Sequence, residues 1–238
     1  MTRSNIKDFE FYQRQIIELE DLNSNGFQKI SAGQIKAHRL KPYSRNILTG
    51  KLELVILKYT AGESVGSINP NWESIIGLLE TAFIPEGDGT FYLSQEIYVK
   101  AIWLLAFGSF LDCTNRDFKK MVAVIDRCGI KDWLLEHLIS SRIQGRPQVD
   151  TLIFPKPYAS LKKAVEETDS AKSSAIVKHY LEKEWYKGHK DTYWYDNHKN
   201  SHDVFFGYWS FEAAAVVNIA GIDDRSFRDN EYYPKDLL

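Results

Sequence analysis

The sequence predicts an all-α protein, a multi-helix bundle of antiparallel helical hairpins with two helical halves packed together. Apolar residues recur at three- and four-residue steps along most of the chain, which is the period of a helix with one buried face. Asn, Asp, Thr and Gly stand at the ends of these stretches, where helices are capped. Turns of the Asn-Gly type between alternating runs, which would indicate β-hairpins, are absent.

The composition is that of a globular protein. Hydrophobic residues make up 44% and charged residues 26% of the 238 residues, which argues against a disordered or fibrous chain. This length suffices for two small domains, and we expect a helical N-terminal domain over residues 1–112 and a helical C-terminal domain over residues 113–238. The formal net charge of −2 provides no basic field that would attract nucleic acid, so direct nucleic-acid binding is not expected.

Three features predict a cytoplasmic protein. The N-terminus has no apolar signal segment, and the longest apolar run, residues 101–111, is far shorter than the roughly 20 residues that span a bilayer. We therefore expect no membrane partner. Cys113 and Cys128 flank one predicted helix, and a rise of about 1.5 Å per residue separates them by on the order of 20 Å, beyond disulfide reach. Both are predicted to be free thiols, which fits a reducing compartment.

The first element is predicted to be a helix, whereas the second could be a helix or a strand. A helix covers roughly residues 6–22 and is expected to end at the polar cluster of residues 23–26, Asn-Ser-Asn-Gly, which favours a helix stop. Residues 40–60 combine Pro42 and Gly50 with a dense apolar run. Because a short apolar run fits either a buried helix or a strand, both remain open there.

The middle of the chain carries clearer boundaries. Asn-Pro-Asn at residues 69–71 predicts a helix start with proline in the first turn, and Pro85 bounds that helix. Residues 93–111 show helical apolar spacing and are expected to be central. Thr114, followed three residues later by an acid, predicts the start of the next helix, and Gly129 predicts its end.

The C-terminal half is also expected to be helical. Residues 145–157 hold three prolines and are predicted to be a surface connection. Asp169 is predicted to cap the following helix. A polar and aromatic connector covers residues 187–200, after which Ser201 is the expected cap of the next helix, whose core part is residues 208–219.

Residues 208–221 are predicted to be scaffold. Tyr208, Trp209 and Phe211 bring aromatic area to the core, since burying one large apolar side chain contributes about 1.5 to 3 kcal/mol. Ile219 and Gly221 complete this core segment, with glycine at a left-handed helix exit. Glu212 is the exception, because a carboxylate amid aromatic rings must find donors or stay partly wet. It is either a local hydrogen-bond anchor or a contact residue.

No catalytic signature is present: the chain lacks GxSxG, GxxxxGK[ST], HExxH and CxxC. We therefore expect no enzyme activity and no cofactor. His198 and His202 are four residues apart, and with Asp203 and Glu212 they define an alternative, a metal-dependent hydrolase. Because the predicted cap at Ser201 would put the histidine pair across a helix boundary, no metal site is expected.

Acidic residues concentrate in the C-terminal segment. Residues 201–238 hold seven acidic and three basic residues, a local net charge of −4. Helix capping by Asp223 or Asp224 and solvation explain such a cluster; a contact patch for a basic surface explains it equally well. The candidate contact residues are Asp196, Asp203, Glu212, Asp223, Asp224, Asp229 and Glu231.

Several motifs resemble, in order, the C-terminal domain of the polymorphic nuclease immunity (PoNi) family. They are LIFPKPY at 152–158, Tyr-Leu and Glu-Trp-Tyr within 180–186, Trp194 with His198, GYWSFE at 207–212, and residues 229–237. The N-terminal half is similar to the family's helical N-terminal domain in size and helical character. The resemblance implies a helical immunity protein of two domains, without catalysis of its own.

The resemblance also implies a partner. Such a protein binds a cognate PoNe-type DNase toxin of the restriction-endonuclease-like type, which a secretion system delivers to neighbouring bacteria in a polymorphic toxin system. We expect stoichiometric inhibition by occlusion of the toxin's active site or DNA-binding surface. A helical adaptor without a nuclease partner is the remaining alternative.

Overall fold

The computed structural model describes residues 2–202 and 204–238. Within these residues there is no strand, and the predicted all-α, multi-helix class is confirmed. In chain order the helices are α1 (Phe9–Ser31), α2 (Ala37–Ala61), α3 (Trp72–Ala82), α4 (Gln95–Phe110), α5 (Asn115–Arg127), α6 (Trp133–Ser140), α7 (Pro155–Glu166), α8 (Ser170–His179), α9 (Trp185–Gly188) and α10 (Phe211–Ala220).

The chain forms two compact units. The first combines the residues up to 93 with residues 111–130, and therefore holds α1, α2, α3 and α5. The second combines residues 94–110 with those from 131 onward, and holds α4 and α6 to α10. Helix α4 therefore belongs to the second unit, although it precedes α5, which belongs to the first. The division into domains at residues 112 and 113 stays a prediction.

Helix α1 is longer than predicted. It does not end at the Asn-Ser-Asn-Gly cluster but continues to Ser31. The reason is its packing on α2: a side chain on Gly26 would collide with Ile47, and a side chain on Gly50 would collide with Asn23. Residue 23 therefore faces 50 and residue 26 faces 47, so the two helices are antiparallel and closely packed. Tertiary packing overrides the local preference of such residues for a helix stop.

The open choice at residues 40–60 is resolved as helix, because α2 runs through the whole segment with Pro42 inside it. Helix α3 is capped by Asn71, whose side chain accepts from the N–H of Ser74 at 3.2 Å. Pro70 precedes this cap and does not lie in the first turn as predicted. Thr114 caps α5 as predicted, accepting from the N–H of Asp117 at 3.1 Å.

The second unit is built around α4. This helix buries residues on all sides, as a helix that is apolar all round must do, and within the unit it packs against α6 and α10. Helices α7 and α8 pack against each other, and α10 also contacts α6 and α7. The expectation that the helix of residues 93–111 is central therefore holds for this unit.

The start of the last helix differs from the prediction. Ser201 caps no helix, and the described residues between it and Ser210 are not helical. Helix α10 begins at Phe211, so that Tyr208 and Trp209 lie in the non-helical segment before the helix. Ser210 occupies the cap position, and its backbone N–H donates to the carbonyl of Tyr232 at 2.8 Å. The predicted glycine exits are confirmed, with positive φ of 68° at Gly129 and 64° at Gly221.

The two cysteines lie at opposite ends of α5; both are buried, and they form no disulfide. Burial raises the pKa of the Cys128 thiol to about 11, and its Sγ lies 3.2 Å from the carbonyl oxygen of Phe83. A buried, protonated thiol of this kind is chemically inert. None of the described helices combines the length and hydropathy that crossing a bilayer requires.

Candidate partner-binding site

The GYWSFE segment is organised around one buried carboxylate. Glu212, the second residue of α10, has 3% of its surface exposed. Its Oε1 accepts hydrogen bonds from Tyr180 Oη–H at 2.8 Å, Trp185 Nε1–H at 2.6 Å and Ser210 Oγ–H at 2.8 Å. Burial raises the pKa of the carboxyl, and these hydrogen bonds oppose that effect. Glu212 is thus a local hydrogen-bond anchor, and as a buried group it cannot serve as the predicted surface contact.

The donors reach Glu212 because of a change in helix type. After α8 the helix continues through a π-helical turn, Tyr180–Glu184, into α9. The N–H of Trp185 bonds to the carbonyl of Tyr180, five residues earlier. A five-residue repeat places the two side chains on one face, where an α-helix would separate them. The π turn therefore aims both donors at the same oxygen.

An aromatic cluster surrounds this carboxylate. The Trp185 ring lies 5.7 Å from that of Trp194 and 4.9 Å from that of Tyr232. Tyr186 stacks on Tyr232 with an interplanar angle of 3° and meets Tyr208 edge-on. Such pairs add about 0.5 to 1.5 kcal/mol beyond area burial. Trp194 thereby anchors the connector of residues 187–200 to this core.

The LIFPKPY motif holds the same core from α7. The Tyr158 hydroxyl lies 2.9 Å from His189 Nε2, and His189 Nδ1 lies 2.7 Å from the carbonyl oxygen of Trp185. Because that carbonyl only accepts, Nδ1 carries the proton and Nε2 accepts from Tyr158. Burial lowers the pKa of His189 to about 4. Pro157 fills the space that a side chain on Gly188 would need. The motif is therefore structural.

A second buried carboxylate was missed by sequence reasoning. Asp132, which is fully buried, caps α6. Its Oδ1 accepts from Tyr98 Oη–H at 2.8 Å and from the N–H groups of Leu134 and Leu135 at 2.9 and 3.1 Å. Its Oδ2 accepts from the N–H of Ile153 at 2.8 Å. An aspartate directly before an apolar helix is a capping signal, but the long-range partners leave no mark in the sequence.

Three of the seven acids of residues 201–238 form ion pairs with neighbouring bases, and Asp196, which precedes that segment, forms another. Neither Asp223 nor Asp224 caps a helix, since a series of turns follows them. The Arg225 guanidinium lowers the pKa of Asp223 to about 2. These pairs use all three bases of residues 201–238, so the formal net charge of −4 comes from the other four acids of that segment. The pairs are Asp223–Arg225, Asp224–Arg228, Asp229–Lys235 and Asp196–Lys199.

The remaining predicted contact and core residues differ in their exposure to solvent. Glu231 is exposed, and Asp196 is half-buried, accepting from Tyr186 Oη–H at 2.7 Å. Asp203 lies outside the described residues. Of the predicted core, Ile219 is only half-buried and Gly221 is exposed, because the last turn of α10 leaves the core. The predicted core side chains that are buried are Tyr208, Trp209 and Phe211.

The alternative metal site is not assembled among the residues that the structure describes. His198 Nδ1 lies 2.7 Å from the Tyr208 hydroxyl, while Glu212 is held by its own three donors. His202 is exposed, and Asp203 is not among the described residues. Over residues 2–202 and 204–238 no group of three or more His, Cys, Asp or Glu side chains could hold a metal ion.

The fold and this network define an all-α protein whose most distinctive residues form a buried polar and aromatic scaffold. Two family models match the chain: "PoNe immunity protein (PoNi), N-terminal" over residues 1–123 and "PoNe immunity proteins (PoNi), C-terminal" over residues 130–237. The chain belongs to the PoNe immunity protein family, and the predicted family is confirmed. Membership implies an immunity protein with a nuclease toxin as its protein partner.

A solved structure supports the fold. Protein PA2201 from Pseudomonas aeruginosa matches with a TM-score of 0.71 and 17% sequence identity. The match covers 99% of this chain and 89% of that protein. At this identity the likeness concerns the fold alone. No curated protein matches the chain.

Proposed function

We propose that this protein binds a cognate secreted DNase toxin in the bacterial cytoplasm and neutralises it stoichiometrically, without catalysis. The complex covers the active site or the DNA-binding surface of the nuclease. The observation that carries this proposal is the match of both halves of the chain to the two PoNi family models. The toxin belongs to a polymorphic toxin system and reaches neighbouring cells through a secretion system.

The exposed acids supply the contact in this proposal. A surface that binds DNA presents Lys and Arg side chains to phosphates, and acidic side chains complement it. Breaking the exposed pairs Asp223–Arg225 and Asp229–Lys235 has little cost, because such pairs contribute about 0 to 1 kcal/mol. The carboxylates can therefore exchange their own bases for those of the nuclease. Asp196, Asp203, Asp224 and Glu231 complete the proposed contact set.

Co-expression with the nuclease tests the function. We expect a stable complex of the two proteins, isolated by affinity purification and size-exclusion chromatography, in which DNA cleavage is abolished. A titration of free nuclease should reach full inhibition at one equivalent. A complex that still cuts DNA would refute occlusion, whereas failure to form any complex would refute the proposed function itself.

Reversing the charge of Asp223 and Asp224 to lysine tests the acidic contact. We expect association with the nuclease to slow by about tenfold at low salt, because complementary charge accelerates encounter, and its salt dependence to weaken. Stopped-flow association at two ionic strengths measures both. The matched control is Asp191→Lys, a reversal at another exposed acid of the same unit. Equal rates for the double variant and the wild type would place the contact elsewhere.

A further inference from the structure

A groove of about 400 Å³ opens in the second unit beside α6. Its walls are one face of α6 and the segment of residues 143–150 that follows this helix. The volume lies in the range of sites that hold a ligand or an inserted side chain, roughly 300 to 1,000 Å³. None of its lining residues belongs to the acidic contact set described above. Its aromatic and ionisable lining residues are Trp133, Glu136, His137, Arg146 and Asp150.

The groove contains a closed ion pair. Arg146 Nε and Nη2 donate to the two carboxylate oxygens of Glu136 at 2.7 and 2.8 Å. The side chains are only 14% and 8% exposed. A bidentate pair of this kind has fixed geometry, so it holds the segment after α6 in place against the helix. It also leaves the interior of the groove without net charge from these two residues.

An aromatic wall stands beside the ion pair. The rings of Trp133 and His137 stack with their centroids 5.0 Å apart and an angle of 14° between their planes. Both side chains are half-buried. His137 Nε2 is buried with no hydrogen-bond partner, so a second proton on the ring would add a positive charge where little can stabilise it. Burial accordingly lowers the pKa of His137, and the wall stays uncharged.

The rim carries an acid that points to solvent. The Asp150 side chain is 94% exposed, and the Nζ of Lys162 lies 3.9 Å from its carboxylate. That ammonium group already donates to the backbone carbonyl of Asp150 at 2.6 Å and lies 3.5 Å from Glu166. The Asp150 carboxylate is therefore weakly held and remains open to a second cation.

We propose that this groove is a docking site for a segment of the partner nuclease, which inserts an apolar side chain against Trp133 and sets a Lys or Arg beside Asp150. The inference rests on the proposed function and adds a second contact to it. Trp and Arg in enclosed positions are the residue types that dominate binding energy in protein interfaces. The cation follows from charge complementarity, because DNA-binding enzymes present basic side chains.

A larger groove in the same unit offers less for such a contact. It has a volume of about 730 Å³ and lies between α8 and residues 223–226. Its walls are mainly small serine and alanine side chains, with no aromatic residue among them. Small side chains contribute little area to an interface, so we assign the anchor to the groove at α6.

The affinity of the purified chain for its nuclease, measured by biolayer interferometry, tests the proposal. Trp133→Ala is expected to weaken the affinity by at least about 30-fold, which corresponds to an interface hot spot. Asp150→Lys is expected to slow association by about tenfold at low salt. Asp191→Lys, at an exposed acid that does not line the groove, is the control and should bind as the wild type does.

The outcomes separate this inference from the proposed function. Wild-type affinity in both groove variants would overturn the docking site while the complex itself stands. No binding by the wild-type chain would overturn the proposed function and the inference with it. Thermal unfolding checks that the variants are folded; if Trp133→Ala unfolds, Asp150→Lys decides alone, because its side chain lies in solvent.

Discussion

Replacing Glu212 with leucine is expected to lower the free energy of unfolding by about 3 to 5 kcal/mol. The substitution leaves the hydroxyl of Tyr180, the indole N–H of Trp185 and the hydroxyl of Ser210 without their common acceptor. Each buried, unsatisfied donor costs about 1 to 3 kcal/mol. The relief from removing a buried carboxylate offsets part of this loss, because burial disfavours its charge.

Urea unfolding followed by circular dichroism measures the effect. Glu96→Leu is a matched control, because Glu96 is likewise the second residue of a helix but is exposed; we expect a change within about 0.5 kcal/mol. Glu212→Gln keeps one acceptor oxygen, so its loss in free energy of unfolding should fall between those of Glu212→Leu and Glu96→Leu. If Glu212→Leu were as stable as the wild type, the carboxylate would not be the anchor of this core.

This anchor could be predicted from the sequence only in part. A carboxylate one residue after Phe211 in an alanine-rich apolar helix must find donors if it is buried, and that requirement was readable. Its donors were not, since Tyr180 and Trp185 precede it by 32 and 27 residues. They converge only because a π turn gives them a common face, and local propensity does not predict such a turn.

The other differences between the predictions and the structure also arise from contacts that only the folded chain defines. Polar residues at 23–26 favour a helix stop in isolation, but the close approach of α2 uses the small size of Gly26, a contact that only the folded pair defines. The acids of residues 223–236 are countable in the sequence, whereas their pairing with Arg225, Arg228 and Lys235 depends on the turns between them. Local caps such as Thr114 and Asp169 were predictable because both partners lie within three residues.

Asp132→Ala is expected to lower the free energy of unfolding by about 4 kcal/mol. Four donors lose their acceptor, two of them at the start of α6 and two, from Tyr98 and Ile153, brought in from distant positions. Loss of an exposed cap alone costs about 1 kcal/mol; the excess comes from the donors that stay buried.

Asp169→Ala is the control that measures the cost of losing an exposed cap alone. Asp169 caps α8 through two backbone N–H groups, as Asp132 caps α6, but its side chain is exposed. Urea unfolding should give a loss of about 1 kcal/mol for Asp169→Ala and of about 4 kcal/mol for Asp132→Ala, and equal losses would reduce Asp132 to an ordinary cap.

Because Trp133 is the residue that follows Asp132, loosening this cap should also weaken nuclease binding in Asp132→Ala under conditions where the variant remains folded. Asp169→Ala, whose helix does not line the α6 groove, should bind unchanged.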